Sequence, residues 1–504
     1  MPVYVGCDLG TMGSKAAVVD EDGRLCGEAF EEVPLDRPRA GWVEQDPLLL
    51  EAWAHRVIRR ALAASERRDV AAVAFSGQMS GIGTIDENFA PATHYDSWLD
   101  TRCEPYIAQM AHAADRVVER SGCPPTYSHG PKILWWQHER PGTFERIRRF
   151  LPIGSFVAAR AAGLSVDEAF VDHTYLHFSN LADTQAGTWS AELIATFGVD
   201  PSVLPRIVAP TDVIGTVTHA AAEATGLPVG TPVAAGAGDT TAASLGAGAV
   251  RPGRAFDAAG TASVLAICLD GFHPDRAGHT LMAPHAASFP APTSTSPSST
   301  GEAWRCGGSG TRSRATVRPA PTPDWTPSPR RCHPAPRACC GTRLQGRVLP
   351  PSPHARASWV GLTSRHGRGH LYRAMLEGIA LEYAEWARPA AVAGGSPLYE
   401  ARVLGGGAGS AVWNQIKADV LGIDWVPTLV QEAGVLGDAL VAAAAVGHVT
   451  DMAATVEAWQ GTAEPFHPRP AAHARYKDLQ PAYRRMSESL RPVFEVLGQT
   501  KEEL

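Results

Sequence analysis

Four glycine-rich turns carry the residue types that could manage a metal, a phosphate or a proton. In the first, Asp8-Leu9-Gly10-Thr11-Met12-Gly13-Ser14-Lys15, a carboxylate at a strand end is followed by bare amides, hydroxyls and an ammonium. Asp8 could hold a hydrated Mg2+, and the turn running from Gly10 and Thr11 to Ser14 and Lys15 could take phosphate oxygens. A plain hairpin with an exposed acid explains the same letters equally well. In the second, Ala237-Gly238-Asp239-Thr240-Thr241, an acid stands between a strand and a helix. Asp239 could accept the proton of a hydroxyl attacking phosphorus, or simply cap the helix. Gly260-Thr261-Ala262-Ser263 offers amides and hydroxyls to phosphate, or is a hairpin turn. Gly405-Gly406-Gly407-Ala408-Gly409-Ser410 lets a flat ring or phosphate approach the backbone at a helix start, or lets helix and strand pack closely.

Rigid elements must flank these turns. "VYVGCDL" and "KAAVVD" read as two strands around the first, and "LLLEAWAHRVIRRALAAS" has helical periodicity. "VAAVAFSGQ" is a buried strand that breaks off at Gly77. "GTPVAAGAGDTTAASLGAGA" reads as strand, turn and small-residue helix, and "AFDAAGTASVLAI" repeats the strand–turn–strand theme of the N-terminus. "ARVLGGGAGSAVWNQIKADVLG" is strand, turn and helix, with Trp413, Ile416, Val420 and Leu421 on its apolar side. "VLGDALVAAAAVG" predicts a buried helix that needs small residues. The order points to an α/β protein with two related halves joined near residues 251–254.

The chain has 504 residues, of which 44% are hydrophobic and 19% charged, with a net charge of -7. That balance fits a globular enzyme and gives no overall attraction to nucleic acid. No apolar run has the length of a membrane span, and the start is a strand rather than a signal segment, so a cytoplasmic location is expected. Cys7, Cys26, Cys103, Cys123 and Cys268 fall singly in core-like elements and read as buried reduced thiols. GxxxxGK[ST], a clean dinucleotide fingerprint and HExxH are all missing from the sequence, which excludes P-loop, Rossmann and zincin chemistry.

In succession, the Asp8 turn, Ser76-Gly77-Gln78-Met79, Gly238-Asp239, Gly260-Thr261 and Gly405-Gly406-Gly407 resemble the FGGY family of carbohydrate kinases, nearest to xylulose kinases and related pentulose kinases. The resemblance covers residues 3–282 and 346–450. It implies an α/β fold of two ribonuclease-H-like, actin-like ATPase domains with the catalytic cleft between them. Residues 1–250 would be the sugar-binding domain, 251–450 the nucleotide-binding domain and 451–504 a helical tail. The implied cofactors are ATP and Mg2+. The implied partner is a small sugar or polyol, with no nucleic acid and no membrane; a homodimer is compatible with it.

By that resemblance Asp239 is the catalytic base and Asp8 serves the metal. Gly10, Thr11, Ser14 and Lys15 serve phosphates, joined by Gly260 and Thr261. Gly405, Gly406, Gly407 and Asn414 line the nucleoside, while Gln78, Met79, Trp98, Asp100 and Arg102 line the sugar pocket. Three positions depart from the xylulose-kinase pattern. Ser80 stands where Gln-Met-His-Gly has His, Leu99 where Trp-Asn-Asp has Asn, and Thr240 where Asn follows the catalytic Asp. Each replaces a sugar-facing polar group with a smaller or less polar one, so reaction class is better defined than substrate. The competing readings are an actin-like ATPase or phosphatase of the same superfold, and an inactive or sugar-sensing relative.

Residues 284–345 break the pattern. Between Met282 and Leu344 the acids reduce to Glu302 and Asp324, while Pro, Arg, Ser, Thr and Ala crowd in. The cysteines there fit no zinc spacing, and the absence of Lys argues against a nucleic-acid arm. We read the stretch as an out-of-frame translation. Starting at the third base of the Gly301 codon, permitted GC-rich codons spell Arg-Gly-Leu-Ala-Leu-Arg-Trp-Phe-Arg-Asp-Glu, an amphipathic helix. The alanine follows at the Trp304–Arg305 junction from any of the four CGN arginine codons; the other letters are permitted choices. The family pattern resumes at residue 346, which requires two compensating shifts.

Overall fold

The computed structural model describes residues 2–259, 262–274, 282–285, 306–314, 339–342, 357–393 and 397–499. Most of the anomalous stretch, with Gly260 and Thr261, lies outside them.

The apolar run Val3–Leu9 forms β1, buried along nearly its whole length, as a strand covered on both faces must be. It turns into antiparallel β2 (Gly13–Asp20), which turns into β3 (Leu25–Glu32). α1 (Pro47–Ser65) starts at Asp46, whose carboxylate accepts from the Leu48 and Leu49 amides, with Pro47 in the first turn. The chain then enters β4 (Val70–Gly77), parallel to β1. Further on come α2 (His129–Glu139), α3 (Ile153–Ala162), β5 (Val213–Thr216), β6 (Pro232–Ala234) and β7 (Ala237–Gly238). The sheet order is β5-β6-β4-β1-β2-β3, with β7 also paired to β4. Gly236, between β6 and β7, has φ +83°, and a Cβ there would stand 1.9 Å from the Phe75 carbonyl oxygen. Only glycine can make that bend.

α4 (Asp239–Gly246) leads to a second sheet. β8 (Arg254–Ala259) and β9 (Ala262–Cys268) form an antiparallel hairpin, as β1 and β2 do. β10 (Met282–His285) and β11 (Cys306–Arg314) extend it on one side. After α5 (Arg368–Ala393), β12 (Glu400–Leu404) lies parallel to β8, as β4 lies to β1, and α6 (Ala411–Leu421) leads to edge strand β13 (Asp424–Pro427). The strand–turn–strand repeat is therefore a repeat of topology.

α7 (Ala433–Ala445), α8 (Met452–Gln460) and α9 (Pro470–Gln499) close the chain. α7 does not stay with the second sheet. Its Val435, Leu436, Ala439 and Leu440 pack on Tyr4, Ala17, Val19, Ala72 and Ala74 of the first. Glycines also let α7 close on α4. A Cβ on Gly246 would lie 1.9 Å from the Ala433 carbonyl oxygen, and one on Gly437 2.0 Å from that of Ala242. This is why the helix is built of small residues. The opposite face of the first sheet packs on α1 and α3. Four of the five scattered cysteines are buried thiols as expected; Cys26, on β3, is only half-buried.

Candidate active site

β1 and β4 end side by side, with Asp8 and Ser76 as register partners, and α4 begins where β7 leaves β4. This is the carboxyl edge of a sheet, where open α/β sheets take their ligands. Ser76 Oγ lies 3.3 Å from Asp8 Oδ1 and 2.8 Å from Asp438 Oδ2 on α7. Burial pushes the Asp8 carboxyl up to about 7, the charge of Asp239 adds to it, and Lys15 and Ser76 oppose it. Asp239 is not the helix cap that its position allowed. Gly238 is the cap residue, and Asp239 is the first helical residue. Its Oδ1 accepts from the Thr240 amide at 2.6 Å and from Thr240 Oγ1 at 3.0 Å. The preceding Gly238 amide donates to Thr174 Oγ1 at 2.8 Å, and Tyr175 holds the Gly77 carbonyl at 2.8 Å, so both strand ends are fixed.

Beside this edge, Trp98 Nε1 donates to Thr11 Oγ1 at 2.7 Å, Thr11 Oγ1 donates to Gln78 Oε1 at 3.4 Å, and Gln78 Nε2 donates to Gln45 Oε1 at 2.7 Å. Met79 packs beneath Gly238, where a Cβ would meet its side chain at 2.8 Å. The structure thus brings together Asp8, Thr11, Gln78, Met79, Trp98 and Asp239. Ser80, the departure from the xylulose-kinase pattern, has φ +62°. A non-glycine residue in that region costs about 1–3 kcal/mol and is kept only where its surroundings fix it. Lys132 on α2 does so. Its buried ammonium donates to Ser80 O and Ser97 O, both at 2.8 Å, and so ties the Gln78–Gly81 loop to the loop carrying Trp98.

Other expected residues turn inward. Arg102 and Asp100 are consumed by one another at 2.7 Å, with Glu44 at 2.6 Å and the Trp42 ring 3.7 Å from the guanidinium. Both are buried, and Arg102 Nη1 has no hydrogen-bond partner among the described residues. Ser14 is fully buried, its Oγ without a hydrogen-bond partner among the described residues. Asn414 is likewise buried, and its Nδ2 donates to Ala408 O at 2.7 Å, bracing the glycine loop from beneath.

That loop is open. Gly405 has φ +84° and ψ -178°, a glycine-only conformation, and a Cβ on Gly406 or Gly409 would meet nothing within 4 Å. Packing does not require glycine at those two positions. A strap before α7 links the loop to the Asp8 edge. Gln431 Oε1 accepts from the Gly405 amide at 3.1 Å, and Glu432 pairs with Lys15 at 2.6 Å. Gln45, Lys132, Gln431, Glu432 and Asp438 were not expected from sequence. Only Asp438 carried a signal there, as a lone acid inside an alanine-rich apolar helix.

No three His, Cys, Asp or Glu side chains converge on a metal position among the described residues. Mg2+ is commonly held by one or two carboxylates together with substrate phosphates, and Asp8 fits that pattern. A Cβ on Gly434 would come within 3.1 Å of Asp8 Oδ2, so glycine keeps the approach to that oxygen clear.

Profiles of the N-terminal and C-terminal domains of the FGGY family of carbohydrate kinases match residues 3–246 and 330–446. The chain belongs to that family. This FGGY chain is 26% identical to the xylulose kinase of Bacillus subtilis over 96% of each chain. It is 28% identical to the glycerol kinase of Bordetella parapertussis, covering 93% of this chain and 94% of that one. Its fold superposes on the gluconate kinase of Lactobacillus acidophilus with a TM-score of 0.86 at 20% identity, over 98% and 99% of the two chains. The expected architecture of two ribonuclease-H-like, actin-like domains holds, and the chain is an ATP-dependent carbohydrate kinase. No helix among the described residues is long and apolar enough to cross a membrane.

Two consequences can be measured. Lys132→Met removes the tie between the two loops and takes the ammonium away from the Ser80 carbonyl, while Ser97 O keeps the Asp100 amide. The expected result is a loss of about 2–4 kcal/mol of stability. The sugar KM rises at least about tenfold, with the ATP KM little changed. The second concerns pH. Burial is the main cause raising Asp8 and Asp172 to about 7 and Asp96 to about 6. Raised acids hold protons in the folded chain that the unfolded chain releases near pH 4, so their stabilisation is lost as pH climbs toward 7. The melting temperature of the ligand-free protein therefore falls between about pH 4 and pH 7, and Asp8→Asn flattens that slope.

Proposed function

We propose that this chain transfers the γ-phosphoryl group of ATP to a hydroxyl of a ketose such as xylulose, or of a related pentulose or polyol, with Asp239 as general base. What carries the reading is Asp239 itself, half-buried at the start of α4, pinned through one oxygen by Thr240 and close enough to Asp8 for its charge to be felt there. Phosphoryl transfer asks the protein for positioning and charge stabilisation more than for covalent chemistry. Mg2+, when bound, neutralises charge on the phosphates. Asp8 would hold it, with Gly10, Thr11 and Lys15 receiving phosphate oxygens and Gly405, Gly406 and Gly407 facing the nucleoside. Gln78, Met79 and Trp98 would form the sugar wall. Ser80 is smaller than its His counterpart in xylulose kinases, which leaves room for a substrate other than xylulose. We take residues 1–250 as the sugar-binding half and 251–450 as the nucleotide half, with α7 crossing from the second onto the first.

The test is ADP formation against a panel of pentuloses, hexuloses, glycerol, gluconate and other polyols. Turnover fastest with a pentulose supports the reading. Turnover confined to glycerol or gluconate moves the substrate class, and ATP hydrolysis indifferent to every sugar removes the kinase assignment.

A further inference from the structure

Strand alternation puts Tyr4, Gly6 and Asp8 on one face of β1, and Ala72, Ala74 and Ser76 on the same face of β4. α7 crosses that face. Gly434 stands over Asp8, and Asp438, one turn later, stands over Ser76. A Cβ on Gly6 would lie 2.2 Å from the Val435 carbonyl oxygen and 2.9 Å from Asp438 Cβ, so helix and strand meet backbone to backbone.

Ser76 Oγ is within reach of both carboxyl groups, at 2.8 Å from Asp438 and 3.3 Å from Asp8. A hydroxyl has one hydrogen and can donate to only one of them. If it donates to Asp8, the Ser76 lone pair must accept a hydrogen that Asp438 brings. The reverse order is disfavoured by the surroundings. Asp8 is only partly buried, whereas Asp438 is 0% exposed and its Oδ1 has no hydrogen-bond partner among the described residues. An ionised carboxylate so placed is far costlier than a neutral acid.

We propose that Asp438 is a positioning residue, a neutral acid that donates to Ser76 Oγ so that Ser76 donates to Asp8 and fixes that carboxylate's orientation at the transfer site. The inference rests on the reading of Asp8 as the residue that serves the metal and phosphates. It gives a task to a side chain 362 residues distant from Ser76 in the chain.

Three substitutions in the full-length protein test it. Asp438→Asn keeps an N–H donor for Ser76, whereas Asp438→Ala and Ser76→Ala each break the relay. The expected kcat of Asp438→Asn is within about threefold of the parent. Each alanine variant loses about tenfold or more in kcat with the sugar KM within about twofold, and the double alanine variant loses no more than either single one. In the ligand-free protein, the infrared difference spectrum of parent minus Asp438→Asn shows the carbonyl band of a protonated carboxylic acid. Asp438→Asn as damaging as Asp438→Ala would mean the ionised carboxylate is needed, and would overturn the proposal. So would alanine variants with unchanged kcat, losses that multiply, or a missing infrared band. A parent that forms no ADP with any sugar refutes the proposed function, while the infrared band still decides the relay.

Discussion

Asp239→Asn lowers sugar-dependent ADP formation by about 10²–10⁴-fold in kcat, the range that a positioned general base supplies. The substitution keeps the shape of the side chain, and its amide oxygen can still accept from the Thr240 amide and hydroxyl that hold Oδ1. What disappears is the capacity to take a proton from the attacking hydroxyl. The sugar and ATP KM values therefore stay within a few-fold, and the melting temperature does not fall. It should rise slightly, because removing the Asp239 charge relieves the repulsion that raises Asp8. Steady-state kinetics beside a thermal melt separate this result from simple misfolding. Sugar-dependent turnover that survives in Asp239→Asn would sink the assigned base.

Sequencing the gene afresh reveals one base change near codons 284–300 and a second near codons 338–346, and the frame-corrected chain gains a helix and a strand of the second domain. Neither family profile spans residues 247–329, and the C-terminal profile begins at residue 330, inside the stretch read as out of frame. The physical consequence is large. A helix face and a set of strand pairings amount to many kcal/mol, against a total margin of about 5–15 kcal/mol for a typical domain. The corrected chain is expected to give a higher yield of soluble protein, a sharper melt and higher specific activity. If the DNA reads as translated here, the chain as it stands folds poorly and turns over little. A well-folded, fully active protein with this sequence unaltered would refute the frame reading. The cysteines and arginines of residues 306–343 carry no functional claim in either case.

Much of the site was legible in the letters because its turns are local. A carboxylate at a strand end followed by Gly-Thr, and Gly-Asp at a strand-to-helix junction, are set by neighbours a few residues away. Strand and helix periods placed β1, β2, α1, α4, α6 and α7 for the same reason. The direction in which a side chain points is different. Asp100 and Arg102 share a motif with Trp98, yet the charged pair is buried and bound to Glu44, while Trp98 reaches Thr11. Asn414 follows the glycine loop in sequence but lies beneath it.

By itself, the sequence determined the family, the two-sheet architecture and the two acids at the strand ends, since each rests on short-range pattern. Tertiary structure alone decided what surrounds those acids. Lys15 meets Glu432 across 417 residues, and Lys132 reaches Ser80 across 52. Those pairings exist because α7 folds back over the first sheet and α2 runs behind the pocket. Such packing depends on shapes and glycine gaps that no local window of residues contains.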